Sequence, residues 1–194
     1  MAERSLVWPI LSFCLRFVVL TVALTMLWWF LLPYYGWFLV QVCGGILKYG
    51  FGLPIQSGHI ERAGFFNTDS LLVFVLPERS PKLPLAHLIT NVGPFWALVW
   101  ATPKLTLRRR LVISVQGSGI LILGHILFVV LALPFQDVVR TASEIPTAIV
   151  QFFLTLPFLL WVILAYWDKL VAYLNDVAGT RNNADEKKDP SADE

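Results

Sequence analysis

The stretch Thr102-Pro103-Lys104-Leu105-Thr106-Leu107-Arg108-Arg109-Arg110 decides how this chain is read. It holds four cations, Lys104, Arg108, Arg109 and Arg110, and no carboxylate. Apolar runs flank it on both sides, Leu85–Ala101 before and Leu111–Leu133 after. Short loops rich in Lys and Arg stay in the cytoplasm while the flanking apolar segments insert. The stretch therefore predicts an inside loop between two transmembrane helices.

The composition agrees. Of 194 residues, 57% are hydrophobic and 14% are charged, against about 25% charged in ordinary soluble domains. The net charge of +2 implies no bulk attraction to nucleic acid. The eight Trp and fourteen Phe suit the aromatic belts and packed interfaces of a bundle in lipid.

Working outward from the basic loop, Thr147–Trp167 predicts a further span after the short polar segment Pro134–Pro146. On the other side, Leu6–Leu32 is apolar apart from Arg16, and about 20 helical residues suffice to cross a 30 Å core. The expected spans are about 13–33, 85–102, 111–133 and 147–167. Pro33-Tyr34-Tyr35-Gly36 predicts a break, and residues 37–51 predict a short interfacial helix. Residues 52–84 read as an extracytoplasmic β-hairpin or β-loop, with strands at Leu53–Ile60 and Leu71–Leu76. The expected fold is thus an all-α membrane protein: a four-span helical bundle with an interfacial helix and a small β-element. Parity from the basic loop places both termini in the cytoplasm. Residues 168–194 read as a cytoplasmic tail that lacks the apolar surface to order its end.

Polar side chains in hydrocarbon are costly, so each is a candidate for function or for helix contacts. At a rise of about 1.5 Å per residue, His87 falls near the outer surface, with Asn91 about 10 Å and His125 about 12 Å below it. Gln151 falls about 6 Å below the same surface. These four either line one outward-facing polar pocket or tie helices by hydrogen bonds. Gly117, Gly119 and Gly124 predict close helix approach in the third span, with Gln116 and Ser118 as further interhelical partners. Gly93-Pro94 predicts a kink below Asn91.

Soluble-enzyme chemistries find little footing. Cys14 and Cys43 are too few and too far apart for a metal site, and no phosphate loop or hydrolase elbow occurs. No cofactor is expected. Cys43, with His59 or Arg62 approaching from the β-element, is the one nucleophile candidate on the outer side; Cys43-Gly44-Gly45 reads equally as a close-packed helix turn.

One family resemblance attaches to these residues. Asn91-Val92-Gly93-Pro94-Phe95-Trp96, Thr102-Pro103-Lys104 and Leu107-Arg108-Arg109-Arg110-Leu111, followed by the Gly117–Leu133 and Gln151 spans, resemble the exosortase/archaeosortase membrane proteins. Less than half the chain takes part. The family's transpeptidase site uses a Cys, an Arg and a further basic residue at the outer ends of successive spans. Here those positions fall near His87–Asn91, which has no Cys, Gly124-His125, which has no Arg, and Pro146–Gln151, which has no His or Arg. The resemblance implies a bacterial inner-membrane protein without catalysis: a degenerate relative, or an exosortase-associated (exosortase H-associated) membrane protein. It would act as scaffold or partner of a true exosortase in protein sorting or exopolysaccharide export. Two other classes stay open: a membrane enzyme centred on His87, Asn91 and His125, and a small transport or channel subunit. The second is disfavoured because spans two to four hold no charged residue at mid-membrane.

Overall fold

The computed structural model describes residues 3–64, 69–85, 91–134 and 144–186. Its first helix, α1, runs without interruption over Glu3–Gly45, 43 residues, about 64 Å at the usual rise. The expected break at Pro33–Gly36 does not occur, and residues 37–51 are no separate interfacial helix. Proline removes one backbone hydrogen bond, whereas ending the helix in an apolar medium would strand several more N–H and C=O groups. One flawed turn is the cheaper solution. A π-helical turn, Ile46–Gly50, follows α1. Gly52 then takes a left-handed backbone, with φ of 65°, the conformation that commonly ends helices. The Leu53 N–H returns to the Leu47 carbonyl at 3.1 Å.

The β-element has three antiparallel strands, one more than expected: β1 (Ser57–Glu61), β2 (Leu71–Val75) and β3 (Lys82–Pro84), in the order β1-β2-β3. Gly58 pairs with Phe74 and His59 with Val73, while Val73 also faces Lys82. The sheet lies on the C-terminal part of α1 through glycines on both partners. A Cβ on Gly58 would come within 2.6 Å of Val40, and one on Gly36 within 3.0 Å of Ile60.

The remaining helices are α2 (Val92–Ala101), α3 (Leu107–Ala132) and α4 (Glu144–Glu186). α2 has ten residues, half of a bilayer span. The rest of the expected 85–102 span lies largely in residues 86–90, outside the described residues. Gly93 and Pro94 occupy the first turn of α2 with Asn91 as N-cap, where a proline's missing N–H costs nothing; residues 86–90, against which the expected kink would bend, lie outside the described residues. α3 matches the expected third span to within a few residues. α4 continues well past Trp167, so the segment expected to be tail is helical to Glu186. The helix bends by 75° between Gln151–Trp167 and Lys169–Val177.

Among the described residues, two helical stretches are long and apolar enough to cross a membrane, Ile10–Gly50 and Leu107–Ala132, or three if the bent α4 forms one span. Four spans are thus not established. Two apolar cores divide the molecule. One joins Leu32, Leu39 and Cys43 of α1 to Leu72 and Phe74 of the sheet and to Val129, Val130 and Ala132 at the end of α3. The other joins Val92, Phe95 and Val99 of α2 to Ile113 and Leu121 of α3 and Leu160 and Ala165 of α4. The sheet and the basic loop therefore sit at opposite ends of α3.

Candidate functional site

Most polar side chains that pass between the helices are used to join them. His125 is wholly buried on α3, and its Nδ1 shares a hydrogen bond with the Tyr35 hydroxyl of α1 at 2.8 Å. Its ring also lies 5.6 Å from that of Phe153 on α4. Trp96 Nε1 donates to Ser118 Oγ at 2.8 Å, tying α2 to α3. Thr102 gathers three elements: its hydroxyl donates to the Leu98 carbonyl and accepts from Trp161 Nε1 at 2.8 Å, and its own carbonyl accepts from Arg110 Nη2 at 2.9 Å.

The four residues expected to share a pocket fare differently. His87 lies outside the described residues. Asn91 is 7% exposed, and neither its amide nitrogen nor its oxygen has a hydrogen-bond partner among the described residues. It stands at the start of α2, two residues before Gly93, where an added Cβ would come within 3.4 Å of the Thr25 backbone of α1. Trp28 Nε1 of α1 is likewise buried and unpartnered. Gln151 is exposed on α4, so of the described three, Asn91 and His125 lie inside the protein and Gln151 does not.

In the basic loop, Lys104 and Arg108 are exposed and Arg110 turns inward to Thr102. The Arg109 backbone N–H is capped by Thr106 Oγ1 at 3.4 Å. Lys104 holds φ of 66°, a left-handed conformation that costs a non-glycine residue about 1–2 kcal/mol. The segment Pro103–Thr106 thus reverses the chain between α2 and α3.

Cys43 is fully buried, in the core shared with Leu72 and Phe74. His59 and Arg62 instead line a recess of about 350 Å³ between α1 and β1, together with Tyr34, Trp37, Val40 and Gly58. The approach of His59 or Arg62 to the Cys43 thiol considered from sequence is therefore not seen among the described residues. Across the Val40–Gly58 contact a second recess of about 290 Å³ holds Gln41, Lys48 and Gln56. On the sheet, Glu61 bonds Lys82 Nζ at 2.6 Å. That hydrogen bond, and the charge behind it, hold the Glu61 carboxyl below its ordinary pKa. No group of three metal-ligating side chains occurs among the described residues.

The residues sequence reasoning missed are Tyr35, Thr102 and Trp161. Tyr35 read as part of an aromatic belt and Thr102 as the edge of a loop; both touch partners far along the chain, which no local pattern encodes.

No family model matches the chain, and neither the curated proteins nor the solved structures contain a match. The fold thus defines only a class: a membrane-associating helical protein whose apolar helices carry a small antiparallel sheet at one end.

Proposed function

We propose that the chain is a non-catalytic accessory protein of a bacterial inner membrane, a scaffold or partner for an exosortase-type transpeptidase. The observation that carries the scaffold reading is the use of polar groups across helices. Tyr35–His125, Trp96–Ser118, Trp161–Thr102 and Arg110–Thr102 all join different elements, work expected of structural rather than reactive groups. Burial of Cys43 in the α1–sheet core supports the same reading. The exosortase connection rests on the resemblance of the 91–111 stretch. Both termini are assigned to the cytoplasm and the sheet to the opposite face. The separation of sheet and basic loop along α3 supports that orientation.

Co-purification from native membranes tests the proposal: an exosortase recovered with the tagged chain supports it, and its repeated absence under mild detergent counts against it. A second reading, a membrane enzyme with an outer polar centre, is favoured by one observation, the buried and unpartnered amide of Asn91. Asn91→Ala and His125→Ala separate the two. Loss of complementation of the deletion phenotype at normal protein abundance supports a reactive centre; loss in step with abundance supports packing.

A further inference from the structure

α1 is too long for the bundle it belongs to. A bilayer core is about 30 Å thick, or about 40–45 Å with its headgroups, against about 64 Å of helix. The bundle uses α1 from Phe13, which stacks 6.1 Å from Trp161, to Tyr35, which bonds His125. Beyond Gly36 the partner is the sheet. The recess lined by Tyr34, Trp37, Val40, Gly58, His59 and Arg62 lies where α1 changes partners, the depth at which Trp and Tyr mark the membrane boundary.

Its chemistry is one-sided. Arg62 supplies a guanidinium, and no carboxylate lines the recess; the His59 side chain, alternating with Gly58 and Ile60 along β1, stands on the outer face with Glu61. Glu61, next to Arg62 in the chain, is engaged by Lys82. Arg62 makes no hydrogen bond or ion pair among the described residues. The neighbouring recess repeats the bias, with Lys48 and no acid. Toward the bundle the helix face continuing from Tyr34 is apolar and open, with Phe30 at 66% and Leu27 at 53% exposure. The spacing of 27, 30 and 34 keeps all three on one side of α1.

We infer that this recess is a binding site for an anionic phospholipid of the leaflet on the sheet side. Its phosphate meets Arg62, and an acyl chain lies along Tyr34, Phe30 and Leu27. A guanidinium fork matches phosphate oxygens bidentately, the aromatic walls hold the glycerol region, and the apolar stripe takes the tail. A soluble anion would use the first of these features alone. The inference needs α1 to cross a bilayer but does not depend on an exosortase partner.

The test uses the full-length chain in neutral maltoside detergent, with bound phosphatidylglycerol read by native mass spectrometry. The wild type is expected to retain the lipid and to prefer it to phosphatidylcholine. Arg62→Gln is expected to weaken retention about fivefold, whereas His59→Gln, on the outer face of β1, should change it little. Arg62→Lys keeps the charge and should keep most of the binding, which separates lost charge from a disturbed strand. Arg108→Gln, at the far end of α3, should change nothing. Equal retention by wild type and Arg62→Gln would overturn the inference. So would equal binding of phosphatidylcholine, equal loss in Arg108→Gln, or displacement by inorganic phosphate, which would mark a free-anion site. Failure of any exosortase to co-purify leaves these outcomes unaffected.

Discussion

The two halves of α1 are held by different means. Its N-terminal half packs against helices, where Gly93 lets α2 approach the Thr25 backbone and Tyr35 reaches His125. Its C-terminal half packs against a sheet, where Gly36 and Gly58 bring helix and strand together and Cys43 and Leu47 join Leu72 and Phe74 in a dry core. Where lipid is the solvent, burying apolar surface gains little, so close packing and interhelical hydrogen bonds carry helix association. Where water reaches the sheet, apolar burial contributes about 25 cal/mol per Å². One continuous helix thus passes from one regime of stabilisation to the other, and substitutions at its two ends should differ in kind.

The largest expected effect is in the bundle. In Gly117→Ala, the new Cβ would stand 2.0 Å from the Phe95 ring, which is fully buried. Displacing it should cost about 1–3 kcal/mol, read as lost thermal stability in micelles with amide protection of the sheet unchanged. Gly58→Ala is the counterpart at the other end, with Val40 2.6 Å from the added Cβ. A valine methyl yields more readily than an enclosed ring, so about 1–2 kcal/mol is expected. Faster hydrogen exchange in β1 and β2, with α3 unaffected, would confirm that the halves respond separately; matching losses throughout both halves would refute the division.

A smaller effect comes from Tyr35→Phe and His125→Leu combined in a double-mutant cycle. Interhelical hydrogen bonds in membranes couple by about 0.6 kcal/mol, at most about 1.7, and a value in that range is expected. The smallest concerns Glu61, whose folded pKa lies below its ordinary value because Lys82 bonds it. A lowered carboxylate pKa stabilises above the unfolded pKa, and the contribution disappears as pH falls through the folded one. Wild type should therefore exceed Glu61→Gln slightly at neutral pH and converge with it in acid. A gap that persists in acid would assign the effect to packing.

Much of this comparison is legible in the residues themselves. The basic cluster Arg108–Arg110 after a capping Thr106 marks the start of α3, and Leu71–Leu76 marks β2 almost to the residue. β3 escaped notice because three residues ending in proline carry no alternation; the ladder is made by the register Val73↔Lys82 and the Phe74 N–H to Pro81 carbonyl bond. Pro33 was misread as a stop because rules for proline come from helices in water, where a freed carbonyl finds a new partner at once. His125 and Asn91 stood out as polar groups in apolar runs, and both are buried. That His125 would meet Tyr35, 90 residues away, depends on how α1 and α3 cross, which neither sequence neighbourhood specifies.

The length of α1 also has a mechanical meaning. The bundle grips α1 as far as Tyr35, so about 15 Å of helix stands beyond it. A tilt of about 10° would carry that end sideways by only about 3 Å. The core that joins the sheet to Val129, Val130 and Ala132 of α3 opposes even that motion. α1 is in that sense a post braced at two heights, by helices along its shaft and by β1–β3 with the α3 end at its top.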